Sequence, residues 1–177
     1  MESNQQNNKR KSLWRNLAPT KVKCFTWLVA RRAYLTHEVL KKKGMIVVSW
    51  CSLCGKIEET NNHLFLHCSF TTQIWAIFLS LTETKWAMPE HTADLLSCWI
   101  RRGGTKSQKA WWRIIPHCIW WTVWKEKKSR NFVDRSNSIQ KVKWNYIVSF
   151  YFWCKEKDIE ETEQLVELLG SLEERVL

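Results

Sequence analysis

The residues with the most chemical capacity lie between positions 51 and 68. They are Cys51-Ser52-Leu53-Cys54, then His63 after eight residues, then Cys68 after four more. A Cys-x-x-Cys turn brings two thiolates to one ion, and zinc takes about four soft or borderline ligands at ~2.0 to 2.3 Å in a tetrahedron. Gly55, directly after the second cysteine, admits the positive φ that such turns commonly demand. A redox role for Cys51 and Cys54 would need a surrounding βαβ pattern, which this sequence lacks. Four protein ligands leave no position for water or substrate, so the expected role of one bound zinc ion (Zn2+) is structural.

Two residues compete for the last position, because His67 adjoins Cys68. On a regular helix His63 and His67 share a face, whereas Cys68 lies well around the axis from His63. That favours a two-Cys, two-His site. Cys68 can take part if the helix loosens or stops there, which a cap at Ser69 would allow.

The elements that must position these ligands read as helices. Pro19 suits a helix start, and Val22, Phe25, Leu28, Val29 and Arg32 follow at three-to-four spacing. Thr36 is a candidate N-cap for a short helix that Gly44 stops. Met45 to Trp50 is a brief strand or an extended entry into the metal segment. Helical spacing continues from His63 to Leu79 with a break at Ser69, and again over 93–101, 108–128 and 139–156. Pro116 is expected to kink or break the second of those three. The fold class is therefore mainly α: a small helical zinc-binding domain over 13–82 after a polar basic tail (1–12). A Trp-rich basic helical region follows over 89–157, and an acidic amphipathic helix over 158–177.

Charge and composition narrow the function. The chain has 177 residues, a net charge of +11, 45% hydrophobic residues and 13 Trp. So aromatic a chain collapses around a core, which excludes a wholly disordered basic tail. Residues 1–50, 51–98, 99–157 and 158–177 carry +9, −3, +11 and −6. Basic blocks thus flank a slightly acidic metal segment, and an anionic partner, RNA or DNA, is expected on the flanks. Lys21, Lys23, Arg31, Arg32, Lys41, Lys42 and Lys43 are the candidate phosphate contacts, with Trp14, Trp27, Tyr34 and Trp50 as candidate stacking residues. Trp111, Trp112, Trp120, Trp121 and Trp124 are too many indoles for one helix face, so some are expected to lie exposed. No segment reaches the ~20 apolar residues of a membrane span. The polar start and odd cysteine count suit a reducing interior, nuclear or cytoplasmic, with Cys24, Cys98, Cys118 and Cys154 as small buried residues.

The stretch from Pro19-Thr-Lys-Val-Lys-Cys-Phe-Thr-Trp27 through Leu35-Thr36, Cys51-Ser-Leu-Cys54, Glu59-Thr60, His63-Leu-Phe65 and Cys68-Ser-Phe70 to Ile74-Trp75 resembles a known family. It is the zinc-binding domain that follows the polymerase in plant LINE-type, non-LTR retrotransposon reverse transcriptases. Ile115-Pro-His-Cys-Ile-Trp-Trp121, Trp124-Lys-Glu126 and Arg130-Asn-Phe132 resemble the connector that precedes ribonuclease H in those polyproteins. The resemblance implies Cys51, Cys54, His63 and Cys68 as ligands, with His67 the alternative fourth.

An enzyme is not expected. The sequence has no Asp-Asp or Tyr-x-Asp-Asp for a polymerase metal pair, and no His-x-Glu of a zinc deaminase. The expected function is a non-catalytic zinc-binding module of a retroelement polyprotein that aids nucleic-acid binding. The alternatives are an interaction domain packed between polymerase and ribonuclease H portions, or an inactive fragment of a decayed element.

Overall fold

Val22, Phe25, Thr26 and Val29 recur at helical steps and are all buried, so Thr20–Ala30 forms an amphipathic helix, α1. Pro19 stands just outside it as the N-cap, with ψ at 145°, so the helix starts one residue later than the sequence suggests. The computed structural model describes residues 17–80, 86–99 and 104–156, with Trp14 and Glu167. The polar tail expected over 1–12 lies outside the described residues, and so does the acidic helix expected over 158–177, apart from Glu167.

Thr36 caps α2 (His37–Lys42), its hydroxyl accepting the Val39 N–H at 3.4 Å. Gly44, with φ +79°, ends that helix in the left-handed region that disfavours a Cβ. Residues 45–50 then run without regular structure to one isolated antiparallel bridge, Trp50 with Glu58. A π-helical turn (His63–His67) leads into α3 (Ser69–Ser80), followed by α4 (Thr92–Cys98), α5 (Lys106–Phe132) and α6 (Ile139–Lys155). The architecture is mainly α, with no strand among the described residues.

α5 is the central element, packed against α1, α3, α6 and the π turn. It starts on a capping box formed by Thr105 and Gln108. It also continues through Pro116, so the proline does not break it. Proline has no N–H for the carbonyl four residues back. That carbonyl belongs to Trp112, and the Trp99 indole N–H takes it at 2.8 Å. The Trp99 ring stacks on Trp112 with centroids 4.5 Å apart, so α4 supplies the partner that the helix lacks.

The central position of α5 also corrects the expectation for its tryptophans. Trp111, Trp112 and Trp120 are buried, and Trp121 and Trp124 are half-buried, because partners surround the helix on several sides. The exposed large aromatics are instead Trp14, Trp50, Phe132, Trp144 and Phe152. One hydrophobic core draws on Phe25, Phe65 and Trp75 from the first half and on Trp120, Tyr146 and Phe150 from the second. Cys118 and Cys154 belong to it, but Cys24 and Cys98 are exposed, so only two of the four remaining thiols are buried.

Candidate metal centre

The first ligand pair sits on a tight turn. Gly55 N–H bonds to the Cys51 carbonyl at 2.8 Å, and Gly55 has φ +66°, the positive value expected of it. Cys51 N–H bonds to the Ile57 carbonyl and Glu59 N–H to the Ser49 carbonyl, which fold the segment back on itself. The second pair comes from the next turn. The Thr60 hydroxyl accepts His63 N–H at 3.0 Å, and the chain then widens from an α to a π pattern.

The π turn brings His63 and Cys68 together. Cys68 N–H reaches the His63 carbonyl, five residues back, at 2.6 Å, and Cys68 leaves the helix with ψ 133°. The regular-helix geometry that favours His67 does not arise. His67 is exposed, its Nε2 lying 3.1 Å from the Glu90 carbonyl oxygen.

Cys51, Cys54, His63 and Cys68 offer one ligand atom each, all within 4.8 Å of one another. Cys51 Sγ and Cys68 Sγ are 3.8 Å apart, and Cys54 Sγ and His63 Nε2 are 3.4 Å apart. A tetrahedron with Zn–S about 2.3 Å and Zn–N about 2.05 Å has edges of about 3.8 and 3.5 Å, so the donor set fits one zinc ion. Four donors would fill the coordination of a zinc ion held there, and the ion would supply charge and cross-link the two ligand pairs.

The hydrogen bond to Cys68 and then burial push the Cys51 thiol up to about 12, while backbone N–H groups of Cys54 and Leu53 act against them. Cys68 is held below the ordinary thiol value, first by its bond from Cys51 and also by N–H groups of Phe70 and Thr71 at the start of α3. His63 is raised, chiefly by its bond to Cys51 and against its own burial. Backbone donors aimed at two sulfurs suit thiolate ligands.

Two ionic groups that spacing could not reveal lock this loop to α5. Glu59 accepts from Lys127 Nζ at 2.6 Å and from the His37 backbone N–H at 3.0 Å, while the Ser52 hydroxyl lies 3.4 Å from its other oxygen. Arg130 Nη1 donates to the carbonyls of Ser52 and Leu53, at 3.2 and 2.9 Å, and its Nε to Glu126 at 2.7 Å. Asn61, within the loop, donates to the Val29 carbonyl and to Thr92, tying α1 and α4 to it.

Residues 1–75 match the family described as zinc-binding in reverse transcriptase. The four-donor cluster lies within the matched stretch and offers the ligand set a zinc-binding segment needs. The chain is also 24% identical over 141 residues to an Arabidopsis thaliana protein named as a ribonuclease H protein. That alignment covers 75% of this chain and 21% of the relative, so the chain spans about a fifth of that protein's length. No solved structure matches significantly.

The candidate phosphate contacts divide into two groups. Along α1, Lys21 and Arg31 are exposed, with Lys21 over the Trp121 ring (5.7 Å) and Arg31 over Trp27 (4.6 Å). Arg32 is exposed beside them with φ 54°, and Lys23 bonds to the Trp14 carbonyl at 3.3 Å. At α2, Lys41 pairs with Glu58 at 2.8 Å and Lys42 with Glu38 at 2.7 Å, whereas Lys43 is exposed. Among the described residues Lys21, Lys23, Arg31, Arg32 and Lys43 have no acidic partner, so they carry the least compensated charge of the set. Trp27 and Tyr34 are half-buried, and Trp50 is open to solvent. No helix among the described residues is long and apolar enough to cross a membrane.

Proposed function

We propose that the chain is a non-catalytic part of a retroelement reverse transcriptase protein, in which one zinc ion braces a basic surface against RNA or DNA. Cys51, Cys54, His63 and Cys68 hold the ion and close its coordination. The observation that carries the nucleic-acid reading is the exposed α1 stripe, where Lys21 and Arg31 lie over Trp121 and Trp27 without acidic partners among the described residues. A guanidinium stacked on an indole offers a phosphate contact and a flat surface for a base within one reach. The brace acts indirectly: Asn61, in the metal loop, bonds to the Val29 carbonyl near the end of α1.

The test is filter binding of labelled single-stranded RNA and DNA across a salt series. Affinity is expected to fall with a log-log slope of about −0.7 per phosphate neutralised. The K21Q/R31Q/R32Q protein should bind more weakly and with a shallower slope. Retention no greater than that of an uncharged control protein would remove this reading.

A second reading, a protein-interaction domain, is favoured by a different surface. Ile46, Val48 and Trp50 alternate along the segment before the metal turn, and all three are exposed, as is Ile57 across from them. Co-purification of the chain with the polymerase portion of a related element would support it, and loss of that association in I46S/V48S would locate it.

A further inference from the structure

Arg130 lies 55 positions beyond the last residue of the family match, yet its guanidinium reaches the turn between Cys51 and Cys54. The two carbonyls it binds, those of Ser52 and Leu53, belong to the peptide groups whose N–H ends are on Leu53 and Cys54. Those same N–H groups donate to the Cys51 sulfur. A trans peptide carries C=O and N–H on opposite edges of one plane. Holding both carbonyls toward α5 therefore aims both N–H groups at the metal-facing sulfur. A charged donor on the carbonyl also polarises the peptide and strengthens its N–H as a donor.

The guanidinium is itself fixed on its other sides. Glu126, only 3% accessible, accepts from its Nε, and the Asn137 carbonyl accepts from Nη2 at 3.3 Å. Asn137 in turn bonds to both oxygens of Glu126, through its backbone N–H at 3.0 Å and its amide at 2.7 Å. The guanidinium carbon lies 4.9 Å over the ring of Phe70, two residues after Cys68, so one side chain touches both ligand-bearing segments.

We propose that Arg130 is a positioning residue of the metal centre, holding the Cys51–Cys54 turn through the Ser52 and Leu53 carbonyls in the orientation that binds zinc. This rests on the zinc reading above and extends the metal-binding unit to α5 and Asn137. A lysine cannot replace the arginine fully, because a point charge lacks the planar fork that serves Glu126, Asn137 and two carbonyls together.

The test measures zinc dissociation constants of the full chain by competition with a chromogenic chelator, and absorption spectra of the cobalt(II)-loaded proteins. R130Q should weaken zinc binding by about 10- to 100-fold and alter the cobalt spectrum, R130K should fall between, and K125Q, exposed on the same helix, should match the wild type. Wild-type zinc affinity in R130Q overturns the proposal. So does a lower melting temperature of the metal-free protein with an unchanged cobalt spectrum, the pattern of a merely structural residue. Should R130Q not fold, E126Q is measured instead, with a smaller loss and the same spectral change expected, and unchanged affinity overturning the proposal. A wild-type chain that binds no zinc removes the metal reading itself, whereas a wild-type chain that binds one ion beside an unaffected R130Q removes only the role of Arg130.

Discussion

Lys127 Nζ and Glu59 Oε1 are 2.6 Å apart, and their side chains are 5% and 0% accessible. The carboxylate is further bonded to the His37 N–H, and Lys127 lies over the Tyr34 ring. A buried pair of this kind mainly penalises its own disruption, because removing one partner leaves an uncompensated charge. K127M or E59L alone should destabilise the zinc-loaded protein by about 3–5 kcal/mol in urea denaturation. The double variant E59L/K127M should lose clearly less than the two single losses combined. Additive losses would show that the two side chains act independently.

Zinc removal should separate ligands from bystanders. C51S, C54S, H63A and C68S are each expected to abolish stoichiometric zinc and to open the 51–68 segment to protease, since binding and local folding are coupled. H67A should retain one zinc ion per chain, because His67 faces the Glu90 carbonyl outside the cluster. Loss of zinc from H67A with retention in C68S would reverse the assignment of the fourth ligand.

The indole of Trp99 donates to the Trp112 carbonyl, to which Pro116 has no N–H to offer. W99F keeps most of the stacked ring but removes the donor, so the Trp112 carbonyl loses the partner that replaces the helical N–H. Removing one partner of a buried hydrogen bond costs about 1–3 kcal/mol. Thermal unfolding of W99F should show a loss in that range, and an unchanged midpoint would mean that another group satisfies the carbonyl.

Thiol chemistry should follow burial rather than neighbouring residue type. Cys24 and Cys98 are exposed and should alkylate rapidly in the native zinc-loaded protein. Burial pushes Cys154 from the ordinary 9.0 up to about 12 and Cys118 well above 9.0, so both should resist alkylation at pH 8. Mass spectrometry after timed iodoacetamide treatment gives the order, and early labelling of Cys118 or Cys154 would contradict it.

The same two thiols set a direction for alkaline stability. Above about pH 9 the unfolded chain releases their protons while the folded chain keeps them, so the unfolded state binds fewer protons. Their stabilisation is full below pH 9 and declines as pH rises toward 12, by at most about 1.4 kcal/mol per pH unit for each thiol. Urea midpoints of C154A should fall less steeply over that range than those of the wild type. Parallel slopes would show that Cys154 does not contribute.

Cys51, Cys54 and His63 and the helices around them are legible in the amino-acid order because each depends on short-range chemistry. A Cys-x-x-Cys turn, the φ of Gly55, the cap at Thr36 and the apolar steps of α1 involve residues a few positions apart. Side-chain spacing along one turn of chain reports them directly. The widening to a π turn at His63–His67 is not legible in this way. Nothing local distinguishes it from the α-helical register that would favour His67, and it is observed only where Cys68 N–H meets the His63 carbonyl.

Tertiary structure alone decided what grips that site and what became core. Glu59 meets Lys127 across 68 positions, and Arg130 meets Leu53 across 77. In sequence Lys127 and Arg130 only add to the basic block over 99–157, although Lys127 is buried and Arg130 half-buried. The Trp112 carbonyl opposite Pro116 is served by Trp99 at the C-cap of another helix, and burial of the α5 tryptophans depends on helices packed around more than one face. Such pairings follow from which elements neighbour one another, a property of the whole packed chain that no local spacing encodes.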